Sequence, residues 1–342
     1  MRVPHDKFPL GKLPPEILAR VLEAVPIQDR RVLLGPGVGL DCAVIDLGPT
    51  LLVFKSDPIT FATDEIGWYA VQVNANDIAT TGAAPAWFLM TLLLPDGRTD
   101  AAMVEQISRQ VFEACERIGA AVIGGHTEIT HGLERPIVVG TLVGEVSRGN
   151  LVTPRGAKPG DRLLLTKGIP IEATAILARE FPEKLLGPLS EVEIAQASNY
   201  LFDPGISVLK DAQLAVQAGS VTAMHDPTEG GLAAALWELA EACGKGIVFD
   251  PEAIPVPELA GKICNVFEID PLCAIASGAL LLATAKMDAK NICRALEKEN
   301  IPCVEIGWIE AGEPGVWQAT NVGRELLEWP KRDEIARIFD SL

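Results

Sequence analysis

Residues 55–85, KSDPITFATDEIGWYAVQVNANDIATTGAAP, are the stretch around which the rest of the chain is organised. The apolar run Leu51–Phe54 just before them does not alternate and predicts a buried strand with Asp57 at its end. Farther on, Trp68, Val71, Val73, Ile78 and Ala79 recur near helical spacing, and Gly82 and Pro85 stop the pattern. One turn of that helix holds Asn74, Asn76 and Asp77. Polar residues so dense among small apolar ones lower helix propensity and must be satisfied, by solvent or within a polar site. A carboxylate at a strand end and another on the following helix are placed to meet over one cation.

The chain has 342 residues, 48% apolar and 22% charged, which fits a globular protein with a large core and a length prior of two domains. Its net charge of −17 argues against nucleic acid, because neutralising a phosphate backbone takes clustered Lys and Arg. A nucleotide stays compatible, since backbone N–H groups and a metal can hold its phosphates. The pattern holds no apolar run long enough to span a membrane and no apolar signal core in MRVPHDKFPLGK, so a cytoplasmic setting and no membrane partner are expected. The seven cysteines are scattered without a C-x-x-C, as reduced packing thiols are, and no zinc site is expected.

In chain order, residues 12–25 predict a short amphipathic helix within an amino-terminal arm, residues 1–34. Gly35, Gly37 and Gly39 precede a strand at Cys42–Leu47, whereas a dinucleotide fingerprint follows a strand and opens a helix. That loop is turn chemistry or a glycine flap over phosphate. Strand Ala86–Leu94, helix Thr99–Ile118, strand Ala120–Ile123 and strand Pro136–Val146 complete one layered domain, residues 35–150, with helices on one face. Asn150–Gly160, rich in Pro, Gly and basic residues, marks a boundary. A second domain over 160–330 restarts the alternation, with helices at Ile171–Glu180, Glu191–Tyr200, Ile206–Ala218, Gly230–Cys243 and Ala289–Glu299. Its strands are expected at Asp161–Thr166, Val221–His225, Ile247–Phe249, Ala279–Ala283, Val304–Ile309 and Val316–Ala319. A terminal helix is expected over 331–342.

Asp41, Asp57 and Asp77 suit a hard cation such as Mg²⁺, which wants carboxylate oxygens and leaves room for phosphate. They suit caps and turns equally. Gly124-Gly125-His126-Thr127-Glu128 follows a buried strand, where layered α/β folds place ligand loops, although a hydrogen-bonded loop histidine would look the same. In His225-Asp226-Pro227-Thr228-Glu229-Gly230-Gly231, Asp226 or Thr228 can cap the next helix, whose bared N–H groups make an anion seat. Capping does not explain Gly230 and Gly231 in the first helical turn, where glycine is costly unless something approaches closely.

In this order GLDCAVIDLG, SDPIT, NANDIATTGAAPAW, IGGHTEIT and MHDPTEGGLAAALWELAE resemble the motifs of the aminoimidazole ribonucleotide (AIR) synthetase superfamily. The superfamily includes thiamine-monophosphate kinase, selenophosphate synthetase and the hydrogenase maturation factor HypE, and the stretch 225–272 looks closest to HypE. The resemblance covers roughly residues 35–307. It implies an α+β fold of two domains, each a mixed sheet backed by helices, with amino-terminal sheets pairing in a homodimer. It implies ATP and Mg²⁺ as cofactors and phosphoryl transfer from ATP to an amide or carbonyl oxygen, or to a phosphate acceptor. The acceptor would be a small molecule or borne on a peptide.

Carried over residue by residue, Asp41, Asp57 and Asp77 match the metal-binding acids, with Glu128 as a replacement ligand. Gly37, Gly39, Asn76, Gly124, Gly125, Thr127, Thr228, Gly230 and Gly231 match nucleotide or phosphate contacts. Asp77, Asp226 and His126 are the catalytic candidates. The chain departs from the pattern at Leu40, His126, Glu229 and Ser277, and it ends IARIFDSL without the terminal cysteine of HypE, so HypE's own reaction is not expected. The expectation is an ATP-dependent ligase, dehydratase or phosphotransferase. The alternatives are a maturation-type assembly protein with little turnover and a small-molecule kinase of the thiamine-phosphate type.

Overall fold

The structure, a computed structural model, describes residues 13, 15–37, 39–60 and 64–340. Residues 1–12 of the expected arm and the last two residues of the expected terminal helix lie outside the described residues. Helix α1 (Pro15–Glu23) precedes a first sheet of β1 (Val32–Leu34), β2 (Ala43–Asp46), β3 (Thr50–Ile59), β4 (Ala84–Pro95), β5 (Ala121–Thr130) and β6 (Ile137–Ser147). Its strand order is β1-β2-β3-β6-β4-β5, antiparallel except for the β4–β5 pair. Helices α2 (Ile66–Thr80) and α3 (Ala101–Ile118) connect β3 to β4 and β4 to β5. Buried Val71, Ala75 and Ile78 of α2 and Val111 and Ala114 of α3 pack with Val53, Phe88 and Leu142 of the sheet. Asp100 caps α3 by accepting a hydrogen bond from Met103 N at 2.9 Å, and Gly119 ends it in the left-handed region.

The second sheet runs β13-β12-β9-β11-β7-β10-β8. Its strands are β7 (Arg162–Thr166), β8 (Val221–His225), β9 (Gly246–Phe249), β10 (Leu281–Thr284), β11 (Cys303–Glu310), β12 (Gly315–Thr320) and β13 (Gly323–Leu326). Only its β9–β12 pair is parallel, so both sheets are mixed. The helices of this half are α4 (Ile171–Glu180), α5 (Pro182–Leu185), α6 (Glu191–Ser198), α7 (Leu209–Ala218), α8 (Gly231–Cys243), α9 (Glu258–Phe267), α10 (Ala289–Glu297) and α11 (Glu334–Asp340). The period of two along β7 explains the layering. Leu163 and Leu165 face Leu232, Leu236 and Leu239 of α8, while Leu164 faces Ala212 of α7 and Ile292 of α10.

The two halves share a core. Ile66, Tyr69 and Ala70 of α2 pack with α4, with α9 and with Ile335 and Ile338 of α11. A polar staple adds to this: buried Asn76 donates from Nδ2 to Ile206 O and accepts at Oδ1 from Val208 N, both at 2.8 Å. The carboxamide thus behaves as a strand neighbour for residues 206–208.

Two elements differ from expectation in ways that matter for the site. β3 runs on to Ile59, so Asp57 lies within the strand rather than at its end. The Gly124–Glu128 stretch is not a loop; it is the middle of β5, an edge strand with every residue from Ala121 to Ile129 exposed. Its parallel pairing with β4 gives the glycines a ladder that local preference alone would not.

Candidate active site

From Lys55 onward β3 has no neighbour on the β2 side, because β2 ends opposite Phe54. Asn74 fills part of that gap. Its Oδ1 accepts from Asp57 N at 3.0 Å, and its Nδ2 donates to Ala70 O at 2.8 Å. The amide lies over Gly140, where any Cβ would stand 2.5 Å from Nδ2, so α2 can approach β6 only over a glycine. This brings Asp77, one helical turn beyond Asn74, towards β3. Lys55 Nζ bridges the two acids, 3.1 Å from Asp57 Oδ2 and 3.0 Å from Asp77 Oδ2.

The glycine loop supplies Asp41. Gly37 O accepts from Leu40 N at 3.2 Å, and Gly39, at φ +70°, packs where a Cβ would lie 2.5 Å from Glu238 O of α8. Asp41 consequently faces the end of β8. There buried His225 has Nε2 3.6 Å from Asp41 Oδ2 and 3.1 Å from Glu238 Oε2, ion pairs rather than aligned hydrogen bonds, while its Nδ1 lies 3.0 Å from Asp226 O. Burial pulls the imidazole pKa down, but Asp41, Glu238 and Asp226 outweigh it and raise it to about 9. His225 is therefore an imidazolium at neutral pH.

Asp226 is 1% exposed and neither of its carboxyl oxygens has a hydrogen-bond partner of standard geometry. Burial first, then the Asp41 charge, push its pKa up to about 7, against the lowering influence of His225, Lys55 and Asp77. Asp77 is likewise pushed well above the ordinary carboxylate range by burial, with Asp226, Asp41 and Asp57 adding to it and Lys55 opposing. Lys55 stays charged: burial opposes its charge, yet Asp77, Asp41 and Asp57 together hold its pKa well above the usual lysine value. Two buried carboxyls this close cannot both ionise cheaply, so Asp77 and Asp226 titrate as a pair.

Asp41, Asp57, Asp77 and Asp226 thus gather around Lys55 and His225, an excess of acid that a divalent cation would relieve. The donors are all hard oxygens, the set Mg²⁺ takes, and the bare oxygens of Asp226 are the opening it would use. The chemistry of the donors suits such an ion, which Asp57, Asp77, Asp226 and Asp41 would hold once Lys55 moved aside. Among the described residues no three His, Cys, Asp or Glu side chains already stand at ligand spacing. Lys55 occupies the space between Asp57 and Asp77 instead.

The turn after β8 forms a second wall. Gly230 N, expected to seat an anion, donates to Asp333 Oδ2 at 2.6 Å, so the chain's own carboxylate takes that place. Gly231, at φ +64°, is approached by backbone: a Cβ would lie 2.5 Å from Leu272 O and 2.7 Å from Ala274 O. Close packing is what requires glycine there. Thr228 lines a cavity of about 240 Å³ between the two halves, together with Asp57, Tyr69, Glu172, Glu229 and Ser277.

Other expected residues lie elsewhere. Asn76 is buried and bonded to Ile206 and Val208. Asp57, Gly140, Met90 and Gly125 form one row across β3, β6, β4 and β5. Three strand spacings put Gly125 about 14 Å from Asp57. Gly124, His126, Thr127 and Glu128 share that distant edge, where His126 Nε2 pairs with Glu128 Oε2 at 3.2 Å. Within one chain Glu128 therefore lies too far from Asp57 to share a ligand with it. Conversely, Lys55, Glu172, His225, Glu238 and Asp333 belong to the site without having been among the expected residues. Glu238 was open to inference as an acid inside the apolar run LAAALWELAEA.

Known proteins agree with this architecture. A family model described as AIR synthase related protein, N-terminal domain, matches residues 39–146, and one described as AIR synthase related protein, C-terminal domain, matches residues 158–318. The chain belongs to the AIR synthase related family. This family member is 30% identical over 315 residues to the "Putative hydrogenase expression/formation protein" of Methanocaldococcus jannaschii, covering 88% of this chain and 90% of that one. It is also 30% identical over 287 residues to carbamoyl dehydratase HypE of Cupriavidus necator, covering 82% and 78%. A crystal structure of the hydrogenase maturation protein HypE in complex with ATP superposes with a TM-score of 0.69 at 24% identity, over 87% of this chain and 91% of that one, which establishes the shared fold.

Proposed function

We propose that this AIR synthase related protein is an ATP- and Mg²⁺-dependent enzyme that transfers a phosphoryl group from ATP to an amide or carbonyl oxygen of a small acceptor. The observation that carries the reading is the convergence of Asp41, Asp57, Asp77 and Asp226 from both halves of the molecule around one buried, acid-rich point. Asp57 faces both that point and the cavity, which would align a phosphate with an acceptor. Mg²⁺ bound by these acids would supply charge neutralisation for the phosphates. Lys55 Nζ, released from Asp57 or Asp77, is in reach of the same phosphates. HypE and carbamoyl dehydratase HypE, named above, support the nucleotide and the dehydratase-type chemistry by similarity.

The reading extends to a homodimer. β5 is ten residues long, unpaired on its outer side among the described residues and exposed from Ala121 to Ile129, with Ile123 57% and Ile129 58% exposed, and such an edge favours pairing with a second copy. A second function, an assembly protein with little turnover, is favoured by one observation, the Asp333 carboxylate on the Gly230 N–H.

Isothermal titration of Mg²⁺–ATP tests the main reading. Wild type is expected to release or take up heat on binding, and Asp57→Ala to bind at least about tenfold more weakly while keeping its fold, since this side chain is partly exposed. Heat at the blank level in both proteins would remove the nucleotide. Binding without hydrolysis, alongside a stable protein partner, would favour the assembly role.

A further inference from the structure

Outside the aspartate cluster, the interdomain cavity holds a second set of polar groups that the fold does not consume. Glu172 opens α4, a helix whose other first-turn neighbours Ile171, Ala173 and Thr174 are buried, and it is itself 4% exposed. Its Oε2 accepts from Ser277 N at 3.3 Å, a bond between residues 105 apart in the chain. Tyr69 and Ser277, 2% and 1% exposed, line the same cavity, and among the described residues their hydroxyls find no hydrogen-bond partner of standard geometry. Buried hydroxyls are rarely left bare, and each costs roughly 1–3 kcal/mol until something bonds to it. Two hydroxyls, one from α2 and one from the segment before β10, therefore wait on a ligand beside the Glu172 carboxyl.

The cavity's charge says which kind. Among the described residues its ionisable lining is Asp57, Glu172 and Glu229, with Tyr69, and includes no Lys, Arg or His. A phosphorylated or carboxylate acceptor would enter against these acids, whereas a neutral acceptor with N–H or O–H donors would satisfy them. At about 240 Å³ the space falls below the ~300 Å³ at which drug-sized pockets begin.

We propose that Glu172 is the general base of the acceptor subsite, and that the acceptor is a small uncharged molecule bearing N–H donors, oriented by Tyr69 and Ser277. The proposal rests on the phosphoryl-transfer reading above. As the acceptor oxygen bonds to the γ-phosphorus and ADP departs with the electrons of the broken bond, the acceptor's N–H proton passes to the Glu172 carboxylate. Burial, with the charges of Asp333 and Glu229, raises the Glu172 pKa to about 7, against the lowering influence of the adjoining Ser277 side chain and N–H. A base with that pKa is half ionised near neutrality, where general-base catalysis works best.

The test uses the full chain with Mg²⁺–ATP, water standing in as acceptor and acetamide, urea and acetate as probes. Wild type is expected to show an acid limb in ATP hydrolysis near pH 7, stimulation by acetamide or urea, and none by acetate. Glu172→Gln is expected to bind Mg²⁺–ATP within twofold of wild type, to lose the acid limb, and to turn over at least tenfold more slowly. Normal nucleotide binding with unchanged rate and pH profile in Glu172→Gln overturns the base assignment alone. Absence of nucleotide binding in wild type overturns both readings. Should Glu172→Gln not fold, the wild-type profile decides: a missing acid limb, or stimulation by acetate only, sinks the proposal.

Discussion

Two segments of this protein look alike on paper: each has a strand, a glycine pair, a histidine and a nearby glutamate. His126 lies 3.2 Å from Glu128, and His225 lies 3.1 Å from Glu238. The surroundings differ entirely. The His126 side chain is 66% exposed on the β5 edge, while that of His225 is 2% exposed between β8, α8 and the Asp41 loop. In water an ion pair is worth little because solvent screens it and replaces it. In the interior the same pair must answer for desolvation of every charge around it. Burial, rather than contact distance, separates a site from a surface.

His225→Gln tests this contrast hardest. It leaves Asp41, Asp226 and Glu238 without their shared cation, and loss of one member of a buried ionic cluster costs about 3 kcal/mol. The pH sign follows from the shift. With a folded pKa of about 9 against 6.5 unfolded, His225 contributes stability fully present below pH 6.5 and lost as pH rises through 9. Urea unfolding of wild type should therefore weaken from pH 6.5 to 9. The variant should lack that decline; an equal slope in both proteins would mean that His225 is not the titrating group.

Asp226→Asn should act in the opposite direction and more mildly. A carboxyl whose pKa is raised from 3.8 to about 7 opposes folding wherever the unfolded chain has already ionised it. At pH 8, without divalent cations, the amide should stabilise by about 1–2 kcal/mol, less than the full shift because neighbouring charges readjust. Mg²⁺ should stabilise wild type and leave the variant unmoved, by thermal melting with and without the ion. Equal Mg²⁺ stabilisation of the two would place the cation elsewhere.

Local pattern carried much of the architecture. β8 begins and ends at Val221 and His225, and α4 at Ile171 and Glu180, as their apolar runs indicate. The convergence of Asp41, Asp57 and Asp77 was also within reach, because strand, turn and helix bring them together inside one sheet layer. What escaped was decided at long range. β5 takes its ladder from β4, so Gly124 and Gly125 extend where their local preference is to turn. Helix α9 was hidden behind Pro255 and Pro257, although Leu259, Ala260, Ile263, Cys264 and Phe267 form a helical stripe. Glu172 acquires meaning only from Ser277, 105 residues away, which no spacing rule connects to it.

The smallest expected effect completes the contrast. His126→Ala removes the imidazole from its pairing with Glu128 on an exposed strand, leaving the β4–β5 ladder, which is backbone, in place. Exposed pairs contribute about 0–1 kcal/mol, and the lost side-chain entropy cost offsets part of that. Unfolding by urea, at a protein concentration low enough to keep chains apart, should therefore shift by less than about 0.5 kcal/mol, a sixth of the His225→Gln cost. A loss above 1.5 kcal/mol would show that His126 is buried against something in the isolated chain. The two glycine segments would then be sites of one kind, and the distinction drawn from burial would fail.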